Sequence, residues 1–156
     1  MTEHLLPEGL EGGVHYFALP KGAKLFEFEI AAVLGHGGFG ITYLATDTHL
    51  QEAVAIKEYL PNVLAVRISD ATVRPKSAED KPSFESGLKA FLEEARLVAR
   101  IRHVNIIRVR RFFEAHGTGY IVQDFEEGRT LGKRLSEGPL SEGELRAIVS
   151  GVLDGL

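Results

Sequence analysis

The stretch Gly35-His36-Gly37-Gly38-Phe39-Gly40 constrains the fold of this chain more than any other. Four glycines in six residues are incompatible with a stable helix. Loops of the form Gly35-x-Gly37-x-x-Gly40 serve two unrelated architectures, and the residues that follow tell them apart. In a dinucleotide fold the loop runs straight into a helix, whose N-terminus meets the pyrophosphate. Here Ile41-Thr42-Tyr43-Leu44-Ala45 follows, a β-prone run. The glycines are therefore expected to join two strands as a hairpin, with backbone N–H groups free of side-chain obstruction and able to approach an anion closely. A plain glycine-rich turn would read the same way in isolation.

The flanks extend this into a sheet. Phe26, Phe28 and Ile30 alternate with Glu27, Glu29 and Ala31, which is strand periodicity. Asp47 to Gln51 reads as a turn. Ala53 to Tyr59 reads as a third strand, broken by Pro61. These three strands predict an antiparallel meander. Residues 1 to 24, rich in glycine and proline, read as an extended arm with little structure of its own. Residues 61 to 82 carry three prolines and two short β-like pieces, Leu64 to Ile68 and Thr72 to Arg74, and predict an inserted hairpin.

From Ser83 the period becomes helical. Leu88, Phe91, Leu92, Ala95, Val98 and Ile101 share one face, closing near His103. Ile106 to Glu114 and Tyr120 to Phe125 then read as strands around Gly117-Thr118-Gly119. Gly128 to Leu135 predicts a linker into a short helix. Ser141 with Glu144 fits a capping box, and Leu145, Ile148, Val149, Val152, Leu153 and Leu156 repeat at helical spacing behind it. That stripe has no evident partner among the preceding elements; a further domain is expected to cover it, with packing back on the sheet as the alternative. The pattern is α+β, divided into an arm (1–24), a main lobe (25–127, with the insertion at 61–82) and two trailing helices (128–156).

Composition narrows the function classes. The absence of cysteine removes disulfides and thiolate metal sites. No apolar run approaches the ~20 residues a membrane span needs, and Met1-Thr2-Glu3-His4 does not read as a leader, so a cytoplasmic location is expected. A net charge of -4 argues against nucleic-acid binding. Arg96, Arg100, Arg102, Arg108, Arg110 and Arg111 form the one basic cluster, and without interleaved aromatic platforms they read as a solvated face. His4, His15, His36, His49, His103 and His116 show no ligand spacing, and no metal site is expected.

Two charged residues stand out. Lys57 closes Val54-Ala55-Ile56-Lys57, where alternation puts Ala55 and Lys57 on one face. A small residue beside a cation suits a flat base next to its phosphates. Glu94 lies one turn from both Phe91 and Val98, at the margin of the helix's apolar stripe, where a carboxylate is costly unless paired. Lys57 is its natural partner, with Glu93 as the alternative acid.

Taken together, Gly35 to Gly40, Val54-Ala55-Ile56-Lys57, Glu94 and His103-Val104-Asn105-Ile106-Ile107 resemble the N-terminal lobe of protein kinases. Gly38 to Ala45 and Ala55 to Pro61 look especially like bacterial serine/threonine kinases of the eukaryotic-like type. The resemblance spans roughly residues 26 to 156. It implies a five-stranded antiparallel sheet with one large regulatory helix, followed by the start of a C-terminal lobe. It further implies that Gly35, His36, Gly37, Gly38, Phe39 and Gly40 cover the phosphates of ATP, and that Lys57, oriented by Glu94, binds the α- and β-phosphates. Leu34, Thr42 and Ala55 would sandwich the adenine. Gln123 falls at the gatekeeper position, and Asp124, Phe125 and Glu126 would form the hinge.

The departures also matter. Thr42 stands where the family usually has Val, and Val104 replaces the usual Pro. No His-Arg-Asp and no Asp-Phe-Gly occurs in these residues, so the catalytic base and the Mg²⁺ ligands are missing from them. Two expectations follow. Either the chain is the ATP-binding lobe of a longer kinase that phosphorylates protein Ser/Thr hydroxyls, or it is a free-standing, non-catalytic nucleotide-binding or oligomerisation module. In the second case the stripe at 141–156 would mediate homo-oligomers.

Overall fold

A computed structural model describes residues 17–156. The part of the expected arm before Phe17 lies outside the described residues.

Strands β1 (Lys24–Leu25), β2 (Phe28–Gly37), β3 (Gly40–Asp47) and β4 (Glu52–Tyr59) follow the chain as an antiparallel meander. A separate two-stranded ribbon, β5 (Ala65–Arg67) and β6 (Val73–Pro75), is the predicted insertion. Helix α1 (Lys81–Val98) comes next, then β7 (Val109–Ala115) and β8 (Thr118–Asp124). The main sheet has six strands in the order β1-β2-β3-β4-β8-β7, one more than the five expected. The sixth is the two-residue β1. Its turn onto β2 passes through Phe26, whose φ of 56° ends the strand alternation there, so the strand expected from Phe26 begins at Phe28. Two helices close the chain, α2 (Leu131–Ser136) and α3 (Glu142–Gly155).

Alternation sorts each strand into two faces. Ile30, Tyr43, Ala45, Val54, Ile56, Tyr120 and Val122 fill the larger core, on the face away from Lys57. On the other face α1 packs through Ala95 against Val109 and Ile121, supported by Phe91, Val98 and Phe112. The rings of Phe84 and Phe91 flank Tyr59 at the end of β4, at centroid distances of 5.3 and 5.5 Å. Burying one aromatic ring stabilises by about 1.5–3 kcal/mol, so these contacts fix the depth of the helix. Only Phe84 and Ala95 of α1 are fully buried. Ile101 lies beyond the helix and is exposed, because α1 stops at Val98.

From Phe17 onward the segment read as an extended arm lies against the sheet. Leu19 is buried, and its N–H donates to the Tyr43 hydroxyl at 3.0 Å. Gly22 and Ala23 exchange backbone bonds with Ile30. Leu19 supplied the apolar anchor that the glycine and proline content had obscured.

Helix α3 does not fold back onto the sheet. Gly155 meets Asn105 and Ile106 of the loop after α1, and no residue of α3 is fully buried. Its capping box is formed: Ser141 Oγ accepts from the Glu144 N–H, and the Glu144 carboxylate accepts from the Ser141 N–H. No helix among the described residues is long and apolar enough to cross a membrane.

Candidate functional site

Register decides what β4 presents. Lys57 pairs with Thr42 on β3 and Ile121 on β8, while Ala55 pairs with Leu44 and Gln123. The predicted residues Thr42, Ala55, Lys57 and Gln123 therefore share one face of three adjacent strands. Ala55 is buried and small, so the surface over it is flat, and Lys57 beside it is exposed. Leu34 stands outside this register. The β2–β3 ladder slips one residue between Val33 and Gly35, and Leu34 is the extra residue of that bulge. Bulges re-aim side chains, and this one directly precedes the glycine run.

The glycine stretch is a hairpin, as expected. His36 pairs with Ile41 and Gly37 with Gly40, leaving Gly38 and Phe39 as the turn. Phe39 is 83% exposed at its tip. The tip is tied down from outside the hairpin: the Leu60 N–H donates to the Phe39 carbonyl at 3.0 Å, and the Asn62 N–H to the Gly38 carbonyl at 3.2 Å. These two bonds occupy tip carbonyls with the segment that follows β4.

The structure does not join Lys57 to Glu94. The ion pairs of α1 among the described residues are Lys81–Glu85 and Arg96–Glu93. Glu94 is exposed and lines an open cavity of about 520 Å³ with Phe39, Tyr59, Leu64 and Phe91. The expected pairing rested on the cost of burying the carboxylate. Exposed, Glu94 keeps its water, and a surface pair would gain it at most about 1 kcal/mol. Glu93, the alternative acid, is taken by Arg96 at 2.6 Å.

At the far end of the site, Asp124 closes β8, Phe125 is half-buried and Glu126 exposed. The Asp124 carboxylate is held by Arg110, which also reaches Glu52 at 2.6 Å, so this acid is turned to a neighbouring strand. Arg110 sits at a register shift in the β7–β8 ladder. Arg111 pairs with Glu27 and lies over the rings of Phe26 and Phe113. Three members of the arginine cluster (96, 110 and 111) are thus taken up by acids of the chain itself. Among the described residues no group of three or more His, Asp or Glu could hold a metal.

Sequence reading missed a buried polar cluster directly behind Lys57. Glu58 is 1% exposed and accepts from the hydroxyls of Tyr43 and Tyr120, each at 2.6 Å. Arg67 of β5 brings its guanidinium to 2.5 Å from Glu58 Oε1. Burial, and then the Glu58 charge, push both tyrosine hydroxyls far above the ordinary phenol range. Burial opposes the charge on Arg67, but Glu58 outweighs it and its pKa rises. The available signal was phase: Glu58 alternates with Val54 and Ile56 and so had to face the core.

Residues 28–156 match the family described as the protein kinase domain. The chain belongs to that family. The apo form of PpkA-294 superimposes on this kinase lobe with a TM-score of 0.81 at 39% sequence identity, covering 84% of this chain and 47% of that one. Serine/threonine-protein kinase pkn3 of Myxococcus xanthus is 29% identical over 133 residues, 84% of this chain and 21% of its own. Serine/threonine-protein kinase TAO3 of Rattus norvegicus is 29% identical over 124 residues, 79% of this chain and 12% of its own. The chain thus spans about a fifth or less of these curated relatives and about half of the solved structure. The architecture is that of a kinase N-lobe with the start of a C-lobe.

Proposed function

We propose that this chain is the ATP-binding lobe of a serine/threonine kinase that transfers the γ-phosphate of ATP to protein hydroxyls. One observation carries the reading. A glycine hairpin, pinned at its tip to the segment after β4, joins β2 to β3 beside the strand on which exposed Lys57 shares a face with buried Ala55. The residues present fit the nucleotide. Leu34, Thr42 and Ala55 offer a small, largely apolar surface for the base, and Gln123 to Glu126 border its edge. Lys57 supplies positive charge toward the phosphates, and the backbone of Gly35 to Gly40 covers them. Glu94, which lines the open cavity beside Phe91, would have to approach Lys57 to orient it.

Phosphoryl transfer depends on positioning and charge stabilisation, and these 156 residues hold one half of the clamp. Isothermal titration is expected to show weak ATP binding to this chain, and tight, Mg²⁺-dependent binding would contradict the reading. In a longer kinase containing this lobe, Lys57→Met abolishes phosphorylation while leaving the thermal midpoint unchanged. Normal autophosphorylation by that variant would remove Lys57 from the site.

A second reading draws on α3, where Leu145, Val149, Val152, Leu153 and Leu156 are all exposed. A contiguous apolar stripe seeks cover. As a binding module the chain would self-associate through this face, with a sedimentation coefficient that rises with concentration and falls back in Val152→Glu. Monomeric sedimentation at high concentration would exclude it.

A further inference from the structure

Three parts of the molecule that are distant in sequence meet around one small cavity. The first is the Phe17–Leu19 segment, held at two points: the Leu19 N–H donates to Tyr43, and the Phe17 carbonyl accepts from Arg67 Nε at 2.7 Å. The second is the inserted hairpin, which contributes Arg67 and, through the Arg67 bond to the Ala71 carbonyl at 2.5 Å, braces its own turn. The third is the glycine hairpin, whose tip is bonded to Leu60 and Asn62, where the chain leaves β4 for the insertion. Lys76, the residue after β6, holds the Asn62 carbonyl with its Nζ at 2.5 Å, so the end of the insertion also bears on that anchor. Phe17, Gly37, Ile41, Asn62 and Lys76 line one small cavity of about 50 Å³, which puts all three parts in one place.

Glu58 is their common anchor. It receives Tyr43, Tyr120 and Arg67, and its own backbone oxygen lies so near Gly40 that a Cβ there would come within 1.9 Å. Its neighbours in the chain are Lys57 and Tyr59. We propose that Phe17–Leu19 and the inserted hairpin form a brace, gripped by Arg67 on Glu58, that positions the glycine loop and so sets nucleotide affinity. Arg67 is then a positioning residue, acting through Glu58 without touching the nucleotide face. The affinity part of the inference rests on the ATP-binding reading; the brace itself does not.

The test uses the 156-residue chain with both charges replaced, Glu58→Gln with Arg67→Met, so that no buried charge is left unpaired. Amide hydrogen exchange is followed without nucleotide. Exchange over Gly37–Ile41 is expected to rise about tenfold or more while Val54 and Ile56 keep their protection, because only the local opening is changed. Binding of a fluorescent ATP analogue weakens in step. Unchanged exchange at Gly37–Ile41 in a variant whose Leu19 amide has lost protection would overturn the brace. If the double variant does not fold, Leu19→Pro, which removes the N–H given to Tyr43, is judged by the same two readouts. Failure of the unaltered chain to bind the analogue would count against the ATP reading alone, since loop exchange is measured without ligand.

Discussion

At the scale of single residues, close approach governs the site more than charge does. Gly40 pairs with Tyr59 at the end of β4, and the Glu58 carbonyl oxygen occupies the space any Cβ would need. That oxygen belongs to the backbone and cannot swing aside. Gly40→Ala must shift the loop or the strand, at a cost of about 1–3 kcal/mol by analogy with overpacked cores. The expected outcome is a lower urea midpoint together with loss of ATP-analogue binding. A G40A variant that binds as the unaltered chain does would show that the loop need not lie so close to β4. The role of the glycines was legible in their spacing. That Gly40 is pressed on Glu58, and that Lys57 stands without Glu94, was not, because both depend on how far apart two segments settle.

At the scale of elements, α3 shows how a helix start is written locally. Ser141 and Glu144 cap each other, and Arg134 of α2 adds a forked contact to the same carboxylate at 2.8 Å. Hydrogen bonds from Ser141, then from Arg134, lower the Glu144 pKa from 4.5 to about 2. A carboxylate depressed in the folded state stabilises above its unfolded value. Its contribution is lost as pH falls from 4.5 through about 2. The first turn of α3 is therefore expected to fray across that window, seen as loss of amide dispersion at Leu145 and Arg146, with Ser141→Ala frayed already at neutral pH. That substitution removes an N-cap worth about 1 kcal/mol. If the Glu144 carboxyl titrated near 4.5 by NMR, the capping box would not persist in solution. Ser-x-x-Glu before an apolar run was enough to predict this helix, because capping is local. The end of α1 was misplaced by several residues for the opposite reason: Ile101 continues the apolar period, yet it lies past the end of the helix at Val98 and is exposed rather than packed.

At the scale of the whole molecule, the buried cluster around Glu58 sets an alkaline limit. Burial and then the Glu58 charge raise the Tyr43 and Tyr120 pKa values above the unfolded value of 10.0. Groups raised in this way stabilise fully below their unfolded pKa, and the contribution drains away as pH climbs past it toward the folded value. Global stability, read as the urea midpoint, should therefore fall from about pH 10 upward, and Tyr43→Phe should flatten the fall. A midpoint that stays level into strong alkali would mean that the two hydroxyls are not held against a carboxylate.

Order and alternation along the chain were sufficient for the meander, the inserted hairpin, the long helix, the capped final helix and the family resemblance, since each is set by neighbours within a few residues. Assembly alone decided the bulge at Leu34, the docking of Leu19 on Tyr43, the burial of Glu58 with Arg67, and the absence of a Lys57–Glu94 pair. Those outcomes turn on which groups lose their water when distant segments meet, and desolvation is a property of the packed molecule that no local pattern records.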